Sequence, residues 1–167
     1  MCGLLCEEMA QAEGWRRIAG VDEAGRGPWA GPVVAAAVIL RQARLPVPID
    51  DSKRLTRAQR ERAYHVILDH ADIGIGVVCA QDIDRSNILR ATLTAMRHAV
   101  ADLTLPPERV LVDGLHVPPL PMPCRAIVRG DQRSYCIACA SIVAKVLRDA
   151  LMDFYHRLMP QIAFNRH

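Results

Sequence analysis

Aromatic residues make up only 4% of this 167-residue chain: two Phe, two Trp and three Tyr. A core of the size this length permits must then be packed from Ala, Val, Ile and Leu, within a hydrophobic content of 51%. Lysine is scarce too. Of 21 basic residues, only Lys53 and Lys145 are not arginine. A lysine in such a chain marks a place for a compact ammonium rather than a planar fork, or stands there by chance. No apolar run approaches the roughly 18 residues needed to span a bilayer, so no membrane span is expected. The acidic start "MCGLLCEEMAQAEG" has too small an apolar patch for a signal peptide and reads as a short, frayed extension, residues 1–14. Zinc-ligand spacing is missing as well. Cys136 and Cys139 form a lone CxxC with no second CxxC or CxxH to complete a site. They lie in "YCIACASIVA", where cysteine packs as a small hydrophobe. Scattered thiols without a leader fit a reducing cytoplasm. Charged residues, at 23%, are at an ordinary globular level, which excludes a disordered chain. The net charge of +3 leaves a polyanionic partner open without demanding one.

What is present reads as alternating elements. "RRIAGVDEAG" and "PVVAAAVIL" are strands, and the Gly/Pro-rich "GRGPWAGP" between them is a turn. A proline-bearing loop leads to a helix over "LTRAQRERAYHVILDHA", with Thr56 as N-cap and Leu55 as a hydrophobic staple. "IGIGVVCA" is a third strand. "QDIDRSNILRATLTAMRHAVADL" reads as one long amphipathic helix, striped by Ile88, Leu89, Leu93, Met96 and Val100. "ERVLVDG" and "RAIVRGD" are short strands around the proline-rich loop "LHVPPLPMPC", and a long helix follows from "SYCIACASIVAKVLRD". Strands first, then alternating helices and strands, predict a layered α/β domain over residues 15–167.

Three acid-bearing sites share one pattern. Asp22 and Glu23 follow "RIAGV", Asp113 follows "RVLV", and Asp131 follows "AIVRG". Each lies at or near the end of an apolar strand beside glycine, where α/β sheets hold functional groups. A single such acid is as well explained by a turn; four carboxylates converging on one sheet edge are not. Carboxylates without histidine suit a hard divalent cation, Mg2+ or Mn2+, which keeps waters and leaves room for phosphate oxygens. Two such ions about 4 Å apart support phosphodiester cleavage. In Gly25-Arg26-Gly27 the glycines permit close backbone approach and the arginine can meet phosphate. Strand alternation sets neighbouring side chains on opposite faces, so Asp22 and Glu23 reach one site only if the strand is about to end.

With these blocks the chain resembles ribonuclease HII, the type 2 ribonucleases H. The likeness rests on "GVDEAGRGPWAGPVVAAAVIL", "DSKRLT", "LVDG" and "GDQRSYCIACASIVAKVLRD", in that order. It implies a ribonuclease H-like mixed β-sheet flanked by α-helices. It also implies two-metal-ion cleavage of RNA in RNA–DNA hybrids and 5′ of single ribonucleotides in duplex DNA, leaving 3′-hydroxyl and 5′-phosphate ends, by a monomer. By motif, the metal-binding and catalytic acids are Asp22, Glu23, Asp113 and Asp131. Gly25, Arg26 and Gly27 match the reader of the ribose 2′-OH, the group that separates RNA from DNA. Ser52, Lys53 and Arg54 match phosphate contacts. Ser141 and Lys145, on the last helix, are either backbone contacts or ordinary helix-surface residues. Asp149 reads as a helix-surface acid, His116 as solvated and Trp29 as a hydrophobic cover. The resemblance further implies a segment beyond "MPQIAFNRH" with a Lys-Gly-Tyr-Gly block, so that the domain is expected to lack its C-terminal part. Two other readings stay open: an inactive hybrid-binding fragment, and another carboxylate-metal nuclease on the same fold.

Overall fold

The computed structural model describes residues 3–27 and 31–162. Five strands form one sheet: β1 (Ile18–Ala24), β2 (Val33–Leu40), β3 (Ala71–Val78), β4 (Arg109–Asp113) and β5 (Cys124–Ile127). They lie in the order β3-β2-β1-β4-β5. β1–β2 and β2–β3 are antiparallel, whereas β1–β4 and β4–β5 are parallel. The helices are α1 (Leu5–Ala12), α2 (Arg57–His70), α3 (Ala80–Arg85), α4 (Ile88–Ala101), α5 (Gly130–Arg133) and α6 (Tyr135–Leu158). This is the mixed sheet flanked by helices that was expected. Among the described residues, no helix is long and apolar enough to cross a membrane.

Both sheet faces are covered, which is why β2 is apolar at every position. On one face Ala36 and Val38 pack with Ile67 of α2 and with Ile142 and Val143 of α6. On the other, Val21, Ala35, Ala37 and Val112 pack with Ala95, Met96 and Ala99 of α4. Without large aromatics, the layers approach on small side chains. Gly74 and Gly76 of β3 lie so close under α4 that a Cβ on either would run into the carbonyl of Ala99 or Ala95. Cys139 is buried in the first of these cores, and Cys136 in a smaller cluster with Ile18, Leu111 and Ile127. Burial pushes the Cys136 thiol well up, so it stays protonated and packs as a hydrophobe.

Four expectations are corrected. The N-terminal extension is not frayed: α1 docks on the domain, and buried Glu7 accepts hydrogen bonds from Ser134 Oγ (2.6 Å) and the Cys136 amide (2.8 Å). The long helix after β3 is two helices. Ser86 and Asn87 interrupt it because the Asn87 side chain accepts the Arg90 amide and starts α4 anew. "RAIVRGD" is strand only to Ile127; Arg129, with φ 53°, turns the chain so that Asp131 sits in the first turn of α5. Thr56 does cap α2, in a full capping box with Gln59. Leu55, however, packs on the core rather than acting as a staple, because Arg60 stands at the position an apolar partner would take.

Candidate active site

Val21 of β1 lies opposite Val112 of β4, and their parallel ladder stops there. Asp22 and Asp113 therefore emerge side by side at the carboxyl ends of the two strands. The ladder from β1 to β2 continues through Glu23 and Ala24. β1 ends at Ala24, one residue beyond Glu23, as expected, and its β4 edge opens earlier, after Val21, so Glu23 reaches the same place as Asp22. The Glu23 amide donates to Asp22 Oδ1 (2.7 Å), and its carboxylate meets Arg26 at 3.5 Å. Asp113 Oδ1 accepts the Gly130 amide (2.6 Å), which ties the start of α5, and so Asp131, to the end of β4.

One cleft of about 330 Å3 is lined by Asp22, Glu23, Asp113 and Asp131, with Gly25, Arg26, Gly27, Ser52 and Lys53. Ser141, Lys145 and Arg148 of α6 complete its wall. Arg54 is not among the lining residues. Its side chain is 61% exposed and lies 4.0 Å from Asp50, because the turn carries it to the outer side. His116 is exposed, as expected. Trp29 lies outside the described residues.

The carboxylates crowd one another. Burial, reinforced by Glu23 and Asp113, pushes the Asp22 carboxyl well above its ordinary range. Glu23 is raised mainly by burial, against the opposing influence of Asp22's hydrogen bond and Arg26. Asp131 is pushed up to about 6 by burial, then by Asp113 and Asp51. Asp51 was missed from sequence. It is buried, raises the neighbouring Asp131 carboxyl and accepts the Lys53 amide at 2.9 Å. Only its place beside Ser52 and Lys53 in "DSK" hinted at it. Arg148 was missed too: 2% exposed, it donates from Nε to the Pro32 carbonyl (3.3 Å) and backs Gly25. Ser141 Oγ lies 2.9 Å from Ser52 Oγ, and Lys145 donates to Asp149 at 2.8 Å. Asp149 thus serves as an ion-pair partner on the helix.

The donor set fits a hard divalent cation. It is all oxygen, and Glu23 Oε2 is buried with no hydrogen-bond partner. Among the described residues, no three acidic, His or Cys side chains close around one point as metal ligands do. The acids border a shared cleft in an open arrangement, with Asp22 and Asp113 each holding a backbone amide.

A mixed sheet whose adjacent parallel strands end in carboxylates under a cationic helix defines the ribonuclease H-like class. The ribonuclease H2 structure from Pyrococcus horikoshii OT3 is similar with a TM-score of 0.73 and 28% identity, over 85% of this chain and 76% of that one. The family description "Ribonuclease HII" matches residues 19–165. A ribonuclease HII from Chelativorans sp. (strain BNC1) is 54% identical over 93% of this chain, and one from Syntrophus aciditrophicus (strain SB) is 55% identical over 95%. The chain belongs to the ribonuclease HII family. It spans 62% of the first of these relatives and 75% of the second.

Proposed function

We propose that this chain is an endoribonuclease that hydrolyses the RNA strand of RNA–DNA hybrids and cuts 5′ of single ribonucleotides in duplex DNA. The products are 3′-hydroxyl and 5′-phosphate ends. The observation behind this reading is the single cleft that gathers Asp22, Glu23, Asp113 and Asp131 beside Gly25-Arg26-Gly27 and Lys53. Family membership supports the substrate class.

In this reading Asp22, Glu23, Asp113 and Asp131 hold two Mg2+ or Mn2+ ions. Such ions, when bound, activate a water and neutralise the leaving 3′-oxygen. Asp22 is the most buried of the four at 5% exposure and stands between Glu23 and Asp113, which suits a shared ligand. The amides of Gly25–Gly27 lie on the cleft wall, where backbone can approach a ribose 2′-OH. Arg26 balances Glu23 before substrate arrives and can turn to phosphate. Ser52 and Lys53 present a hydroxyl and a compact ammonium to the backbone of the nucleic acid.

Asp113→Asn tests the reading. The amide retains the Oδ1 acceptor used by the Gly130 amide, so the fold is kept. The variant should bind a duplex with one ribonucleotide as wild type does and lose cleavage in Mg2+ by about a thousandfold or more. Near-wild-type cleavage by Asp113→Asn defeats the assignment. Binding without turnover by wild type favours a hybrid-binding fragment, and equal cleavage of all-DNA duplex favours another nuclease.

A further inference from the structure

The turn that brings Ser52 and Lys53 into the cleft is short, and its own hydrogen bonds are few. The Lys53 amide donates to Asp51 Oδ1 and the Arg54 amide to the Asp51 carbonyl, each at 2.9 Å. From outside, Ser141 Oγ of α6 holds the Ser52 hydroxyl (2.9 Å), and Arg60, in the first turn of α2, grips the backbone. Arg60 Nη1 donates to the Ser52 carbonyl at 3.0 Å and to the Leu55 carbonyl at 2.6 Å. One guanidinium nitrogen thereby bridges the two ends of the loop segment that carries Lys53. Its other nitrogen, Nη2, lies 3.9 Å from Asp149 Oδ2 on α6, and Asp149 Oδ1 accepts from Lys145 Nζ. The Arg60 side chain is 15% exposed, so these contacts are largely shielded from water. A chain of contacts then runs from the cleft lysine of α6, through Asp149 and Arg60, to the cleft lysine of the turn. Both lysines of a chain that otherwise uses arginine stand at its two ends.

We propose that Arg60 is a positioning residue that clamps the 52–55 turn, and that Asp149 couples this clamp to Lys145, so that the two cleft ammonium groups are set at a fixed separation for successive phosphates. The inference rests on the nucleic-acid reading above. α2 is suited to the task because its N-terminus is fixed by the Thr56–Gln59 capping box. Arg57, three residues earlier, makes a contrasting link: its side chain, 61% exposed, donates to Asp153 at 2.7 Å on α6 and to Glu61 at 3.0 Å on its own helix. Arg57 joins the same two helices without holding the loop.

The test compares Arg60→Met, Arg60→Lys, Arg57→Met, Lys53→Met and the double variant Arg60→Met/Lys53→Met. On the free protein, amide hydrogen exchange at Lys53 and Arg54 should quicken by about ten-fold in Arg60→Met and stay at the wild-type rate in Arg57→Met. In binding of an RNA–DNA hybrid, Arg60→Met and Lys53→Met should each weaken affinity by about ten-fold. The double variant should be within about two-fold of the weaker single, because a released Lys53 has little left to lose. Arg60→Lys keeps the charge facing Asp149 but loses the fork, and should fall between; it also serves if Arg60→Met does not fold. Unaltered exchange at Lys53 and Arg54, or fully additive losses in the double variant, overturns the clamp. A wild-type chain that binds no hybrid defeats the function proposed above, while the exchange readout still decides whether Arg60 holds the turn.

Discussion

Replacing Asp131 with asparagine should stabilise this protein in the absence of metal while removing one of the four carboxylates proposed to hold it. Asp131 is 9% exposed, and its carboxyl is raised from 3.8 to about 6, first by burial and then by Asp113 and Asp51, with Lys53 opposing. The folded state thus holds the proton more tightly than the unfolded chain. Its contribution to stability is fully present below pH 3.8 and is lost as pH rises through about 6. Above that the fold carries an ionised carboxylate in an unfavourable place. At full strength this difference corresponds to roughly 3 kcal/mol. The cleft is open on one side, so water screens the charge and about half, ~1.5 kcal/mol, is the better figure. Asn carries no charge at any pH in this range and keeps a carbonyl. In EDTA at pH 7.5 the variant should therefore melt about 3–6 °C above wild type, for a domain of this size. The gain should shrink steadily between about pH 6 and pH 4. Saturating Mg2+ should raise the wild-type melting point more than the variant's, since only the carboxylate gains from a cation. A variant that melts below wild type at pH 7.5, or a gain that ignores pH, refutes the account of a crowded acid site.

Three further substitutions probe the scaffold. Glu7→Ala removes the acceptor for Ser134 Oγ and the Cys136 amide at the start of α6, and should cost about 2 kcal/mol in urea unfolding; a loss under about 0.5 kcal/mol would return residues 3–14 to the status of a loose tail. Gly76→Ala drives a methyl into the Ala95 carbonyl and should cost about 3 kcal/mol. Gly27→Ala meets nothing within 4 Å among the described residues and should unfold close to the wild-type midpoint in the same measurement.

The legible parts of this chain were those where one local pattern decides the outcome. β2 declares itself by an unbroken apolar run because both its faces are covered, and Thr56 stands as a hydroxyl residue directly before the helical pattern that it caps. The misread parts depend on contacts distant in sequence. α1 is held by Ser134 and the Cys136 amide, some 130 residues away, which nothing within residues 1–14 announces. Asp131 looked like a strand end because "RAIV" is apolar, but the left-handed turn at Arg129 starts a helix there. That turn is fixed in part by the Gly130 amide reaching Asp113 Oδ1, 17 residues earlier. Asp51 and Arg148 were invisible for a related reason: their positions in a polar loop and an amphipathic helix say nothing of the neighbours that bury them.

The pairing of Asp22 with Glu23 shows where local rules stop. Alternation along β1 sets the two side chains apart, and the ladder to β2 confirms that the strand stays regular through both. They still share a cleft, because β4 ends its pairing at Val112 and leaves that edge of β1 unoccupied. A strand in mid-sheet can therefore be closed on one side and open on the other at the same residue. The switch from antiparallel pairing with β2 to parallel pairing with β4 makes this possible, since it places the carboxyl ends of β1 and β4 together while β2 runs past them in the opposite direction. The acids sit in a built gap of the sheet, and the upward push on the Asp22 carboxyl follows from that placement: it is buried, with Glu23 and Asp113 crowding it.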